Sequence, residues 1–383
     1  MQKGIYLCFF FAVCLAAVLT ACADSPSVSD TARYAEPKTT DAKRVITPTI
    51  SPIPTSFPTP LPSPTAYEAA GDDTQTTDKQ NIDYASVRPY EVGQIMIIMY
   101  HGLVETEAKE RTYQRSIDNF KNDLQTFYDR GFRLISMKDW LNNNICTTAG
   151  YTPLILTFDD GRSTAFSLEY KDGELHPVKD CAVDIMTKFC EKYPDFGNTA
   201  MFFINQNPFN GEGTLAERLK YLVDHGYEIG NHTMKHKQMS KISANEIQEE
   251  IVGIDKLIKE NVPGYEPYAI AYPYGERPPK ALYEYILKGE WEGSAYNYRI
   301  AVREGQSGPP SAINCVGFDK INVPRVRGTN NQITDMGWML KHYETHPELC
   351  YISDGKPDRI AVPEEFAHNV DKDSLDGKEL YIY

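Results

Sequence analysis

Residues 154–161 read Leu154-Ile155-Leu156-Thr157-Phe158-Asp159-Asp160-Gly161. The first five form a run with no charged position on either face, the pattern of a strand buried on both sides. Such a strand belongs to a mainly parallel sheet covered by helices, since a half-solvated antiparallel strand would alternate apolar and polar residues. Two carboxylates and a glycine then end it. Successive side chains at a strand end point in different directions, so Asp159 and Asp160 divide two tasks rather than sharing one. Asp-Asp-Gly is also good turn chemistry, so a functional reading of the carboxylates needs support from elsewhere in the chain.

Working outward, apolar runs alternate with helical patterns. Residues 94–100, 132–135, 199–204, 227–230 and 268–272 read as strands. Residues 116–129 carry Ile117, Phe120, Leu124 and Phe127 at helical spacing. Helical patterns follow at 178–189, 215–225 and 280–287, and Ser243-Ala244-Asn245-Glu246 is a capping box opening a helix to about residue 259. Residues 294–298, 321–326 and 351–352 are weaker strands. The alternation predicts an α/β fold, either an open doubly wound sheet or a closed barrel. In a barrel, side chains at the C-terminal ends of strands gather in one mouth. His101, Asp159, Asp160, His232, Tyr274 and Arg325 all sit at or near such ends.

His232-Thr233-Met234-Lys235-His236 places two imidazoles four residues apart. If a helix begins at His232, both lie on one face, one turn apart. With Asp160 as a third donor the set suits a divalent metal, zinc first, and leaves one coordination position open, as catalytic sites do.

At these residues the sequence resembles the polysaccharide deacetylases of carbohydrate esterase family 4, the NodB-homology family, over roughly residues 94–330. The resemblance implies a distorted (β/α) barrel of about seven strands. Thr157-Phe158-Asp159-Asp160-Gly161 is similar to the family's first motif, implying Asp159 as general base and Asp160 as metal ligand. His232 to His236 is similar to the second, implying both histidines as ligands. Ala271-Tyr272-Pro273-Tyr274-Gly275 is similar to the third, implying that the Tyr274 peptide N–H binds the oxyanion. The arginine that steadies the base in that motif is replaced by Ala271, and Arg325 is the candidate to substitute from another strand. No match to the family's distal histidine motif follows residue 330, but Ile98-Met99-Tyr100-His101 fits it at the start of the domain. A barrel tolerates that permutation, because its first and last strands are neighbours; His101 then takes the general-acid role and Ile98 lines the pocket for the acetyl methyl.

The N-terminus carries different signals. Lys3 precedes an apolar run over residues 5–19 that ends in Leu19-Thr20-Ala21-Cys22, which reads as an export signal and resembles a bacterial lipobox with Cys22 as the lipidated residue. Residues 23–86 are rich in Pro, Thr and Ser and favour extended, polyproline-like chain rather than a core. The expected organisation is a lipoprotein signal at 1–22, a linker at 23–86 and a polysaccharide deacetylase catalytic domain at 87–383. The expected location is outside the cell, anchored to the outer face of a bacterial membrane.

A formal net charge of −14 gives no general attraction for nucleic acid, and no basic stripe or nucleic-acid motif is present. The widely spaced Cys146, Cys181, Cys190, Cys315 and Cys350 make no complete disulfide framework, and a Cys315–Cys350 bridge stays open. The expected substrate is an acetylated polysaccharide and the expected reaction hydrolysis of its N-acetyl groups. An O-deacetylase of a glycan such as xylan and a non-catalytic glycan-binding lipoprotein on the same fold are the alternatives.

Overall fold

The structure, a computed structural model, describes residues 82–305, 308–330 and 332–383. The expected export signal, Cys22 and almost all of the Pro/Thr/Ser-rich stretch lie outside the described residues. Among those described, no helix is long and apolar enough to cross a membrane.

Eight parallel strands make the central sheet: β1 (Met96–Tyr100), β2 (Phe132–Leu134), β3 (Thr152–Phe158), β4 (Met201–Ile204), β5 (Glu228–Asn231), β6 (Ala269–Ala271), β7 (Ile300–Glu304) and β8 (Val323–Arg327). Seven of them close into a ring in the order β1-β8-β7-β6-β5-β4-β3. The closure is the pairing of β3 with β1, from Met96–Leu154 to Tyr100–Phe158. β2 pairs only with the opening residues of β3, and β4 takes the end of β3 at Thr157–Met201 and Phe158–Phe202. This is a (β/α) barrel rather than an open sheet. β1, near the start of the domain, lies between β8, its last barrel strand, and β3.

Strand alternation divides the core in two. Ile95, Ile97, Ile155, Met201, Phe203, Ala271, Val302 and Val323 fill the barrel, joined by Met137 and Trp140. Met96, Ile98, Tyr100, Leu154, Leu156 and Phe158 face outward and pack under Phe120, Leu124 and Phe127 of the helix Ile117–Asp129. Ile98 therefore does not line a pocket at the mouth. The two-residue period that puts Ile97 inside puts Ile98 under the helix layer.

Helix ends follow the local sequence. Ser243 and Glu246 form the reciprocal capping box of the helix Ala244–Asn261, and Thr214 and Glu217 do the same for Leu215–Asp224. The segment ahead of β1 is fastened to the C-terminal region. The Glu91 carboxyl accepts hydrogen bonds from the Ala361 and Asp354 peptide N–H groups, at 2.8 and 3.1 Å, and from the Tyr351 hydroxyl at 3.3 Å. Burial, aided by nearby Asp354, pushes that carboxyl up to about 8. Contacts with the domain begin ahead of residue 87: the Tyr84 ring lies against Tyr381 and Tyr383. All five described cysteines are free thiols, so Cys315 and Cys350 are not bridged.

Candidate active site

Asp159 and Asp160 leave the end of β3 in different directions. Asp159 turns inward and is only 2% exposed, as is His232, while Arg325 is 1% exposed. The Asp159 peptide N–H donates to Tyr100 O of β1 at 2.9 Å, which registers the carboxylate against the neighbouring strand end. Asp160 is in the left-handed region with φ +70°, and Gly161 follows at +59°. A Cβ on Gly161 would lie 2.6 Å from Pro208 Cβ, so this turn requires glycine for space as well as for conformation.

The segment from His232 to His236 is not a helix but an irregular loop after β5. The expected helical pairing of the imidazoles is replaced by two left-handed residues, Thr233 at φ +61° and His236 at +52°. Side chains from neighbouring elements fix this loop. Asn231 Oδ1 accepts the Thr233 N–H at 2.8 Å, and Glu250 accepts the Lys235 N–H at 2.6 Å. These local bonds compete successfully with helix hydrogen bonding.

The loop brings the three expected ligands together. Asp160 Oδ1 is 3.5 Å from Nε2 of both His232 and His236, and the two Nε2 atoms are 3.2 Å apart. Nitrogen and oxygen donors each about 2.0–2.2 Å from one tetrahedral zinc lie roughly 3.3–3.5 Å from one another, so this triangle fits such an ion. His232 Nδ1 lies 2.9 Å from Ala271 O. A carbonyl only accepts, so Nδ1 carries the proton and the Nε2 lone pair faces Asp160. Arg162 Nη2 holds the other Asp160 oxygen, Oδ2, at 2.8 Å.

Arg325 grips Asp159 with two parallel bonds, Nη1 to Oδ1 at 2.7 Å and Nη2 to Oδ2 at 2.6 Å. Its Nη1 also donates to Thr157 Oγ1 at 3.0 Å, and that hydroxyl donates to Ile98 O at 2.9 Å. Phe203 lies beneath the guanidinium, 5.3 Å from its ring centroid. Asp159 Oδ2 is 3.9 Å from His232 Nε2, so the gripped carboxylate borders the ligand triangle.

Charges in this cluster set one another's ionisation. Burial works to raise the Asp159 carboxyl, but Arg325, His232 and His101 together hold it below the usual carboxylate range. Burial likewise works against Asp160, and bonding to His232 is the largest influence that brings it down. His232 is depressed by burial but raised on balance by the two aspartates, whereas burial and His232 push His236 down. His101 follows β1, and burial brings its imidazole down to about 4 against the upward pull of Asp159 and Asp160. Its Nδ1 is buried without a hydrogen-bond partner in the protein.

Tyr274 follows β6 in a left-handed conformation, φ +58°, and its ring packs on His236 with centroids 4.6 Å apart. The structure thus gathers Asp159, Asp160, His232, His236, Arg325, His101 and Tyr274 around one end of the barrel. Sequence reasoning did not single out Thr157, Arg162, Asn231 or Glu250. Thr157 had a visible signal, a hydroxyl inside a buried strand beside the carboxylates. Glu250, lying within a helix, had none.

Residues 148–289 match the family model described as polysaccharide deacetylase. Among curated proteins, a peptidoglycan-N-acetylglucosamine deacetylase of Bacillus cereus is 27% identical over 122 residues, 32% of this chain and 36% of that one. A chitin deacetylase of Arthroderma benhamiae is 28% identical over 131 residues, 34% of this chain and 29% of that one. The chain thus spans about a third of the length of these curated relatives. The solved structure of the Streptococcus pyogenes deacetylase PplD in complex with acetate is 19% identical with a TM-score of 0.48, covering 65% of this chain and 97% of that one.

Proposed function

We propose that this protein is a metal-dependent hydrolase that removes N-acetyl groups from an amino-sugar polysaccharide of the cell wall or extracellular matrix. The observation that carries this reading is a buried carboxylate, Asp159, locked by Arg325 beside three donor atoms whose spacing suits one divalent ion. The family, and relatives named for peptidoglycan and chitin deacetylation, support the substrate class.

Asp160, His232 and His236 would hold the ion, and their two nitrogens and one oxygen favour zinc. A divalent ion bound there supplies Lewis-acid polarisation of the acyl carbonyl and acidifies a water molecule. Asp159, kept ionised by Arg325, accepts a proton from the attacking water. The Tyr274 peptide N–H donates to the carbonyl oxygen as negative charge develops there, a contribution of about 3 kcal/mol for such a donor. His101 gives a proton to the departing nitrogen. Burial pushes its imidazole down, and the proton that His101 delivers balances the one that Asp159 takes from the water. One water and one acetamide give acetate and a free amino sugar.

The test is acetate and free-amine release by zinc-loaded protein from a panel of acetylated glycans. Asp159→Asn should lower the rate by about a thousandfold while leaving zinc bound. Absence of acetate from every glycan, with the ion in place, would reject the reading. Acetate without new amines would indicate O-deacetylation, and glycan retention without acetate a binding protein.

We infer further that the chain is exported and lipid-anchored at Cys22, a reading supported by Leu19-Thr20-Ala21-Cys22 after the apolar run. Cys22→Ala should move the protein from the membrane fraction to the soluble fraction of cells. Unchanged retention in the membrane fraction would count against lipid attachment.

A further inference from the structure

Two exposed tyrosines lie against imidazoles of the cluster, although large aromatic rings at a surface ordinarily find burial. Tyr113, 43% exposed, sits on His101 with ring centroids 4.8 Å apart and planes inclined by 40°. Tyr274, 59% exposed, sits on His236. One belongs to the connection after β1 and the other to the turn after β6, so they approach the site from different parts of the rim.

Glu304, the last residue of β7, joins the two. The Tyr113 hydroxyl donates to its carboxylate at 2.9 and 3.1 Å. On the other side, a Cβ on Gly275 would come within 2.8 Å of Glu304 O and 3.0 Å of Glu304 Cβ, so the turn carrying Tyr274 packs directly on this residue. Glu304 is itself braced. Arg327 Nη1 is 3.4 Å from its carboxylate, and Arg327 Nε donates to buried Asp335 at 2.8 Å. The rim therefore runs without a break from His101 through Tyr113, Glu304, Gly275 and Tyr274 to His236.

We propose that Tyr113, fixed by Glu304, is a substrate-positioning residue that stacks on a pyranose ring of the glycan and, with Tyr274, forms the two aromatic walls between which the acetylated sugar is seated. This rests on the deacetylase reading and extends it to residues outside the family motifs. A pyranose presents a face of C–H groups with hydroxyls at its edge. A tyrosine held by its hydroxyl offers a rigid apolar face to that surface at little cost in conformational freedom. The Glu304 bond explains why an exposed ring is held in one place. Tyr113 also stays a donor, because burial and the Glu304 carboxylate push its phenol up to about 12. Seating the sugar ring fixes where its acetamide falls relative to Asp159 and His101, and misplacement by about 1 Å can cost a hundredfold in rate.

The experiment uses zinc-loaded protein and two probes: the pentamer of N-acetylglucosamine, and 4-nitrophenyl acetate, which has no sugar. Binding of the pentamer is measured by calorimetry, and turnover of both probes by product release. Tyr113→Ala should weaken pentamer binding and raise its KM by roughly tenfold, about the worth of one good aromatic contact, while ester turnover and zinc content stay within twofold. Tyr113→Phe and Glu304→Ala, which keep the ring but remove its hydroxyl bond, should each give a smaller rise in KM of about threefold. These two variants carry the test if Tyr113→Ala does not fold. Unchanged pentamer binding and KM in the variants overturns the proposal, as does an equal loss on both probes, which would mean a structural role only. Failure of the wild-type protein to bind the pentamer overturns it too. Wild-type binding that depends on Tyr113 without any acetate release upholds it and rejects the deacetylase reading instead.

Discussion

Arg325→Met should reduce acetate release by at least about a hundredfold and lower folding stability by about 3–5 kcal/mol at neutral pH. The arginine makes two short bonds to Asp159, and both side chains are almost wholly buried. Methionine fills similar space but leaves a carboxylate uncompensated in a barrel interior lined by Phe203 and Thr157. The effect has a pH signature. In the native protein the Asp159 carboxyl is depressed, so its stabilisation is present above the unfolded carboxylate value and is lost as pH falls through the folded one. In the variant, burial without the guanidinium raises the same carboxyl, so stability falls as pH rises through that range. The gap between the two proteins should therefore narrow on acidification, and the acid limb of the rate profile should move to higher pH. Denaturant melts and rate profiles from pH 4 to 8 check both. Arg325→Lys should recover part of the stability but little activity, since an ammonium cannot make the paired contact. A stable and active Arg325→Met would remove the guanidinium from the mechanism.

The second large effect is expected at His101. His101→Ala should lower turnover by roughly a hundred- to ten-thousandfold, the usual contribution of a positioned general acid. Metal content should not change, because Asp160, His232 and His236 supply the donor triangle. Metal analysis beside single-turnover acetate release separates the two quantities. Loss of metal together with activity would make His101 a structural support of the site, and full activity would end its assignment as proton donor.

The fold was legible because its signals are local. The unbroken apolar runs of β1 and β3 and the capping box at Ser243 depend on neighbours in sequence. β7 was not legible. Its five residues, Ile300 to Glu304, hold only three apolar positions before Arg303 and Glu304, and the 294–298 stretch that reads as a strand lies mostly in a hairpin, Lys288–Trp291 with Ser294–Asn297, outside the barrel. A three-residue apolar stretch becomes a barrel strand only because β6 and β8 lie on its two sides.

At the site, residue identities were readable and their local conformation was not. The loop from His232 to His236 holds its shape through Asn231 and Glu250, and Glu250 comes from a separate helix, so no spacing rule could reveal it. The same holds for Ile98, whose direction follows from register in the barrel rather than from its place next to His101 in a motif. Tyr113 and Glu304 are 191 residues apart, and only closure of the ring brings them together.

Asp160, Thr233, His236 and Tyr274 share one further property, backbone in the left-handed region without being glycine. Each such residue costs on the order of 1 kcal/mol relative to a relaxed conformation. The barrel must carry that cost as reserve stability from the rest of its core. Drift to glycine at any of the four would relieve it, and would at the same time remove a donor, a ring or the stiffness that keeps them aimed. Natural selection for a more stable barrel and for a faster one therefore favour different residues at the same four positions.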